Sequence, residues 1–208
     1  MPPSSCPQPG LKPDTARNQD KPKVLLVIGD GAEVMDTLFP LYRLGEDYQV
    51  VVTAPEKRTY HLVIHERTEG WDITVERPGY RLGADLAFRD IKDDSYVALV
   101  LPGGRAPEYL RYDADLMRIT QAFFTHDKPV ASICHGIEIL GAANVIHGRE
   151  VTTIPKCRFD AQVCGALYKE EPVVRSGNLI CARAKKDMSD WMKQFSRMIA
   201  DYAETVSR

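Results

Sequence analysis

Pro129-Val130-Ala131-Ser132-Ile133-Cys134-His135-Gly136 is the stretch on which the reading of the whole chain turns. Val130 to Ile133 is a short run of apolar and small residues, the pattern of a strand buried on both faces of a parallel sheet. Gly136 allows a tight turn, and the residues from there to Ala143 read as a helix packed closely on the strand. Cys134 stands at the joint. Strand, turn and helix make the setting of a nucleophile elbow, here with sulfur in place of a hydroxyl. The turn lifts the side chain above the sheet edge. The helix start offers unpaired N–H groups and a positive partial charge, and both favour thiolate over thiol. A thiolate is the reactive form, so Cys134 is the candidate nucleophile. The competing reading is a small buried hydrophobe, the common fate of free cysteine.

Outward from this stretch the same grammar repeats. Val24 to Ile28 (VLLVI) stops at Gly29-Asp30-Gly31, and Val97 to Leu101 (VALVL) stops at Pro102-Gly103-Gly104. Gln49 to Thr53 is another apolar run. Val34, Leu38, Leu41 and Leu44 fall at helical spacing, as do Leu116, Ile119, Phe123 and Phe124. Residues 57–90 break the pattern and read as short antiparallel strands or an excursion. Gly177-Asn178 between two apolar segments signals a two-residue hairpin. Trp191, Phe195, Met198, Ile199 and Tyr202 mark a last helix capped by Asp187 or Ser189. Alternating strands and helices predict an open α/β sandwich with a mostly parallel sheet. Ligands in such sheets bind beyond the carboxyl ends of the strands, near a switch in strand order. The loops at 29–33, 102–105 and 134–136 therefore carry the candidates. Gly103 and Gly104 let backbone amides face an oxyanion, although a plain turn has the same composition. Glu33, shielded from water near a thiol, could shuttle a proton; alternatively it is a carboxylate favoured at a helix start.

Composition narrows the classes. The chain has 208 residues, with 27 Lys+Arg against 29 Asp+Glu and a formal net charge of −2. That balance offers no global footprint for nucleic acid, and no run approaches the ~18 apolar residues of a membrane span. Residues 1–22, rich in Pro and polar side chains, are expected to be a disordered tail before a single domain over 23–208. They lack the apolar stretch of a secretory signal, so a cytoplasmic protein is expected. Five cysteines, an odd number with no CxxC pair, argue against a disulfide framework, and no spacing fits a structural zinc site. No metal is expected. Cys157, Cys164 and Cys181 read as structural thiols, with Cys157 able to line a pocket. His61, His65, His126 and His147 read as surface or loop residues, and Lys185-Lys186 as a solvated pair.

ASICHG at 131–136, LPGGRAPEYLR at 101–111 and the Glu33 loop followed by Phe39-Pro40 resemble the ThiJ/PfpI superfamily, in particular its PfpI-like branch and the plant glyoxalase-type members with the same GRAPEYL stretch. The resemblance implies a flavodoxin-like three-layer sandwich, of the architecture shared with class I glutamine amidotransferases, assembled as a dimer, trimer or hexamer. It implies Cys134 as nucleophile and Glu33 as the carboxyl hydrogen-bonded to its sulfur. The backbone N–H of His135 would join Gly104 at the oxyanion site, with Gly103, Arg105 and Ile154 around the substrate. Glu108 would approach the histidine of a neighbouring subunit. The chain departs from the family pattern at Ile137-Glu138, and at Ile154-Pro155 where PfpI-like members have Tyr-Pro. With Lys156 and Ala184-Lys185-Lys186 nearby, a more acidic substrate is implied. The amidotransferase activity itself is excluded, because it needs a His-x-Glu near the C-terminus and no histidine follows His147.

The resemblance thus implies a cofactor-independent enzyme on small reactive carbonyls, of the glutathione-independent glyoxalase or deglycase type. The alternatives are a PfpI-like cysteine peptidase or amidase, and a non-enzymatic stress protein that senses oxidation through Cys134.

Overall fold

Lys23–Val27 forms β1, the strand about which the molecule is built, in a computed structural model that describes residues 20–206. The expected tail lies outside the described residues except for 20–22. Every β1 residue after Lys23 is buried, as the unbroken apolar run requires. β2 (Gln49–Ala54) pairs with one side of β1 and β6 (Ala98–Leu101) with the other, both parallel. Beyond β2 lies the two-residue β5 (Leu86–Ala87). Beyond β6 come β7 (Val130–Ile133), β11 (Leu179–Ala182) and β10 (Val173–Ser176). Only β10 runs antiparallel, joined to β11 through Gly177-Asn178 as the hairpin signal predicts.

The order β10-β11-β7-β6-β1-β2-β5 is the flavodoxin-like arrangement expected from the resemblance, with strand order reversing at β1. Helices cover the sheet. They are α1 (Val34–Gly45), α3 (Ala114–Thr125), α6 (Met188–Val206) and the short α2 (Pro107–Leu110), α4 (Ile137–Ala142) and α5 (Arg158–Val163). The α3 start shows why the chain turns helical there, since the Asp113 carboxylate accepts from the N–H groups of Asp115 and Leu116 at 2.9 and 3.0 Å. Trp191 and Phe195 of α6 are wholly buried.

The polar stretch at 57–90 resolves as a long hairpin, β3 (Thr59–Arg67) against β4 (Thr74–Gly83), with a register shift between His61 and Val63. It stands outside the main sheet and leans over its carboxyl end, where Val63 N–H donates to Ala32 O. A two-residue pair, β8 (Glu150–Val151) with β9 (Leu167–Tyr168), completes the strands. Among the described residues no helix is long and apolar enough to cross a membrane.

Candidate active site

Strand β7 ends at Ile133, and Cys134 follows with a φ of +56°. A side-chain-bearing residue is strained in that left-handed region. The strain is held in place from outside, because the Thr153 hydroxyl donates to the Cys134 carbonyl at 2.5 Å. This is the sharp strand-to-helix turn expected of an elbow. The loops after β1 and β6 meet it at the switch point and are stitched together: Arg105 N–H donates to Gly31 O at 2.7 Å and Glu33 N–H to Gly103 O at 3.2 Å. Two glycines make the approach possible. Gly104 has a φ of +89°, and a side chain there would run into Gly31 O and Glu33 N. A Cβ on Gly103 would lie 2.7 Å from both the Asp36 Oδ2 and the Cys134 Cβ. Its absence lets those two residues face each other.

The carboxyl beside the sulfur is therefore Asp36, which corrects the expectation for Glu33. Asp36 is wholly buried on α1, its Oδ2 has no conventional hydrogen-bond partner among the described residues, and its side chain interacts with Cys134. Glu33 instead caps α1. Its Oε2 accepts from Asp36 N–H at 2.9 Å, and its Oε1 pairs with Lys185 Nζ at 2.6 Å. The helix-start reading of Glu33 is the one the geometry matches. Burial, reinforced by the Glu33 charge, pushes the Asp36 carboxyl up to about 8, so it is protonated near neutral pH.

The sulfur itself corrects a second expectation. Cys134 is only 7% exposed. Burial, followed by the neighbouring Asp36, pushes its thiol well above the ordinary range, against the pull of backbone N–H groups from His135 and Gly104. Desolvation outweighs the helix start because a 3-10 turn, Cys134–Gly136, comes first and α4 is only six residues long. The resting site is an uncharged thiol beside an uncharged acid. The two N–H groups aimed at the sulfur are those expected at the oxyanion site.

His135 Nδ1 lies 3.2 Å from Cys134 Sγ. Burial, with His65, Lys156 and Arg105 adding to it, brings the imidazole down to about 4, so it is neutral. Its neighbour His65, from β3, faces it edge-on at 6.4 Å between ring centroids.

These groups form the floor of a cleft of about 620 Å³. Arg105 and Ile154 line it as expected, and the β3–β4 hairpin supplies a wall. Glu108 is not among the cleft-lining residues; its Oε1 pairs with Arg105 within the chain at 2.8 Å. Two residues read as surface features belong to the site. His65 lines the cleft, and Lys185 ties Glu33 to the hairpin by donating to His65 O at 2.8 Å. Arg67, Lys156 and Lys186 also line the cleft and have no carboxylate partner among the described residues. Lys156 Nζ donates to the Thr74 hydroxyl at 2.9 Å.

The chain is similar to the protein named Deglycase TK1284 of Thermococcus kodakarensis, with 37% identity over 177 residues that cover 85% of this chain and 99% of that one. It is 34% identical to Protein DJ-1 homolog D of Arabidopsis thaliana over 185 residues, covering 85% of this chain and 47% of that protein. Among solved structures, Schizosaccharomyces pombe DJ-1 superposes with a TM-score of 0.67 over 89% of this chain and 99% of that chain, at 18% identity, a likeness of fold. The DJ-1/PfpI family profile matches residues 22–198, a span that holds the elbow and every residue of the cleft, and the chain belongs to the DJ-1/PfpI family.

Proposed function

We propose that the protein is a cysteine-dependent enzyme of the deglycase or glutathione-independent glyoxalase type, acting on small reactive carbonyls without a cofactor. The observation that carries this reading is the Cys134 sulfur at the floor of the cleft, with His135 Nδ1 at 3.2 Å, the Asp36 carboxyl against it, and two backbone N–H groups converging on it. Relatives named deglycases at 33–37% identity support it.

On a 2-oxoaldehyde the sulfur adds to the aldehyde carbon and the thiol proton passes to the carbonyl oxygen, giving a hemithioacetal. The His135 and Gly104 N–H groups stabilise the oxygen as its charge develops. His135 then takes the proton from the former aldehyde carbon, and a proton is returned to the adjacent carbon, leaving a 2-hydroxyacyl thioester. Water hydrolyses the thioester to a 2-hydroxy acid and restores the thiol. Asp36 takes the proton-shuttling role expected of Glu33. The unpaired cations at the mouth favour substrates carrying a carboxylate or phosphate.

Lactate formed from methylglyoxal without glutathione tests the reading. Cys134→Ser should lower the rate at least ~1,000-fold, by analogy with losing a covalent nucleophile. Equal rates in the two proteins would reject it. The His135–sulfur contact also suits amide hydrolysis in a homo-oligomer, with Glu108 from a second subunit as orienter; hydrolysis surviving in a proven monomer counts against that second reading.

A further inference from the structure

Two chemically competent side chains beside the nucleophile, Glu138 and Cys157, take no part in the reaction above, yet they converge on His135, which does. His135 and Glu138 are three residues apart, across the 3-10 turn and the first turn of α4, so both project to one side. The turn Pro155–Cys157 brings in Cys157 from a distant part of the chain. One ligand atom each from His135, Glu138 and Cys157 lies within 4.8 Å of the others. This is why spacing gave no sign of the cluster: only two of its members are near in sequence.

The geometry points to a divalent metal site of the zinc type, with His135 imidazole, Glu138 carboxylate and Cys157 thiolate as ligands. Three observations carry it. The donor set of nitrogen, oxygen and sulfur is one that zinc accepts, and three protein ligands leave the fourth position for water. The Cys157 Sγ to Glu138 Oε1 separation is 3.7 Å; Zn–S and Zn–O bonds at a tetrahedral angle set such a pair ~3.6 Å apart. The carboxylate is also already oriented, since Arg111 NH1 holds its other oxygen, Oε2, at 3.3 Å. Oε1 accepts from the Cys157 thiol, whose proton the ion would replace, while Arg111 serves as an outer partner. Two anionic ligands neutralise the ion's charge, and the Cys157 thiol proton leaves to solvent on binding. Cys157 and Glu138 are almost closed to solvent, so entry is from the cleft past His135, which lines it.

If the reaction proposed above holds, a metal here ties up the imidazole that acts as its base. The occupied protein should therefore be held inactive until the ion is removed.

The test needs no substrate, so it stands apart from the proposed reaction. The full-length protein, stripped of metal, is titrated with cobalt(II) as a spectroscopic probe and then with zinc against a chromophoric chelator. One ion per chain is expected, with a thiolate-to-cobalt charge-transfer band. Cys157→Ser should abolish the band, and Glu138→Gln should weaken zinc at least ~10-fold, the loss usual for a removed ligand or its orienting partner. Cys134→Ser should keep both band and affinity. Circular dichroism checks that each variant folds, and Glu138→Gln decides the matter if Cys157→Ser does not. A missing band, a band lost with Cys134→Ser instead, or unchanged affinity in Glu138→Gln overturns the site.

Discussion

Asp36 lies three residues past Glu33, and that step along one helix decides which acid meets the sulfur. The buried face of α1 consists of Val34, Asp36, Thr37, Pro40, Leu41 and Leu44. Asp36 is thus an acid in phase with apolar neighbours, and a buried acid without an ion-pair partner marks a functional position. The sequence carried this signal, but the stripe read through Leu38, which is only partly buried, set the helix slightly out of phase. Cys134 needed no such phase, because a strand that stops at a turn leaves one place for the residue that follows. The buried acid has a consequence for stability. Its folded pKa of about 8 lies above the value of 3.8 it has in the open. Across that window the folded chain keeps a proton the unfolded chain has released, so Asp36 lowers stability progressively as pH rises. Asp36→Asn removes the titration. Its stability relative to the native protein should be nearly constant at acid pH, rise between about pH 4 and 8 by no more than a few kcal/mol, and level off above. Urea unfolding of both proteins along a pH series measures it; a difference that falls with pH sinks the assignment of a buried protonated acid.

Among the elements, the β3–β4 hairpin was the hardest to foresee. Its residues are polar and half-exposed, so neither helical nor strand period stands out, and its place over the sheet depends on contacts far apart in sequence. Lys185 is one of those contacts, 120 residues from His65, and a dilysine read in isolation looks solvated. Lys185→Met leaves Glu33 buried without its cation. Losing one partner of a fully buried pair costs roughly 3–5 kcal/mol. Lys185 is 39% exposed and therefore screened, which brings the expected loss to about 1–2 kcal/mol. Hydrogen exchange should show amides of 59–83 losing protection before those of the main sheet. Unchanged exchange across the hairpin would mean that the tie is ornamental.

For the molecule as a whole, the apolar runs ending in glycine made the parallel sheet legible, because strands buried on both faces leave little choice of composition. The last helix was legible from its stripe, and Trp191 is its anchor, wholly buried with its indole N–H donating to Ile180 O at 3.4 Å. Trp191→Ala should cost about 3–5 kcal/mol and lower the urea midpoint. The slope of the transition should stay the same, since unfolding still exposes the whole sheet. The borders of that sheet have their own outcome. One ends in the two-residue β5 and the other in the four-residue β10, where Arg175 is exposed. Long, flat, apolar margins are what recruit foreign chains into fibrils. The main sheet therefore offers a growing fibril almost no backbone to copy, and any clouding on heating should follow unfolding of that sheet rather than precede it.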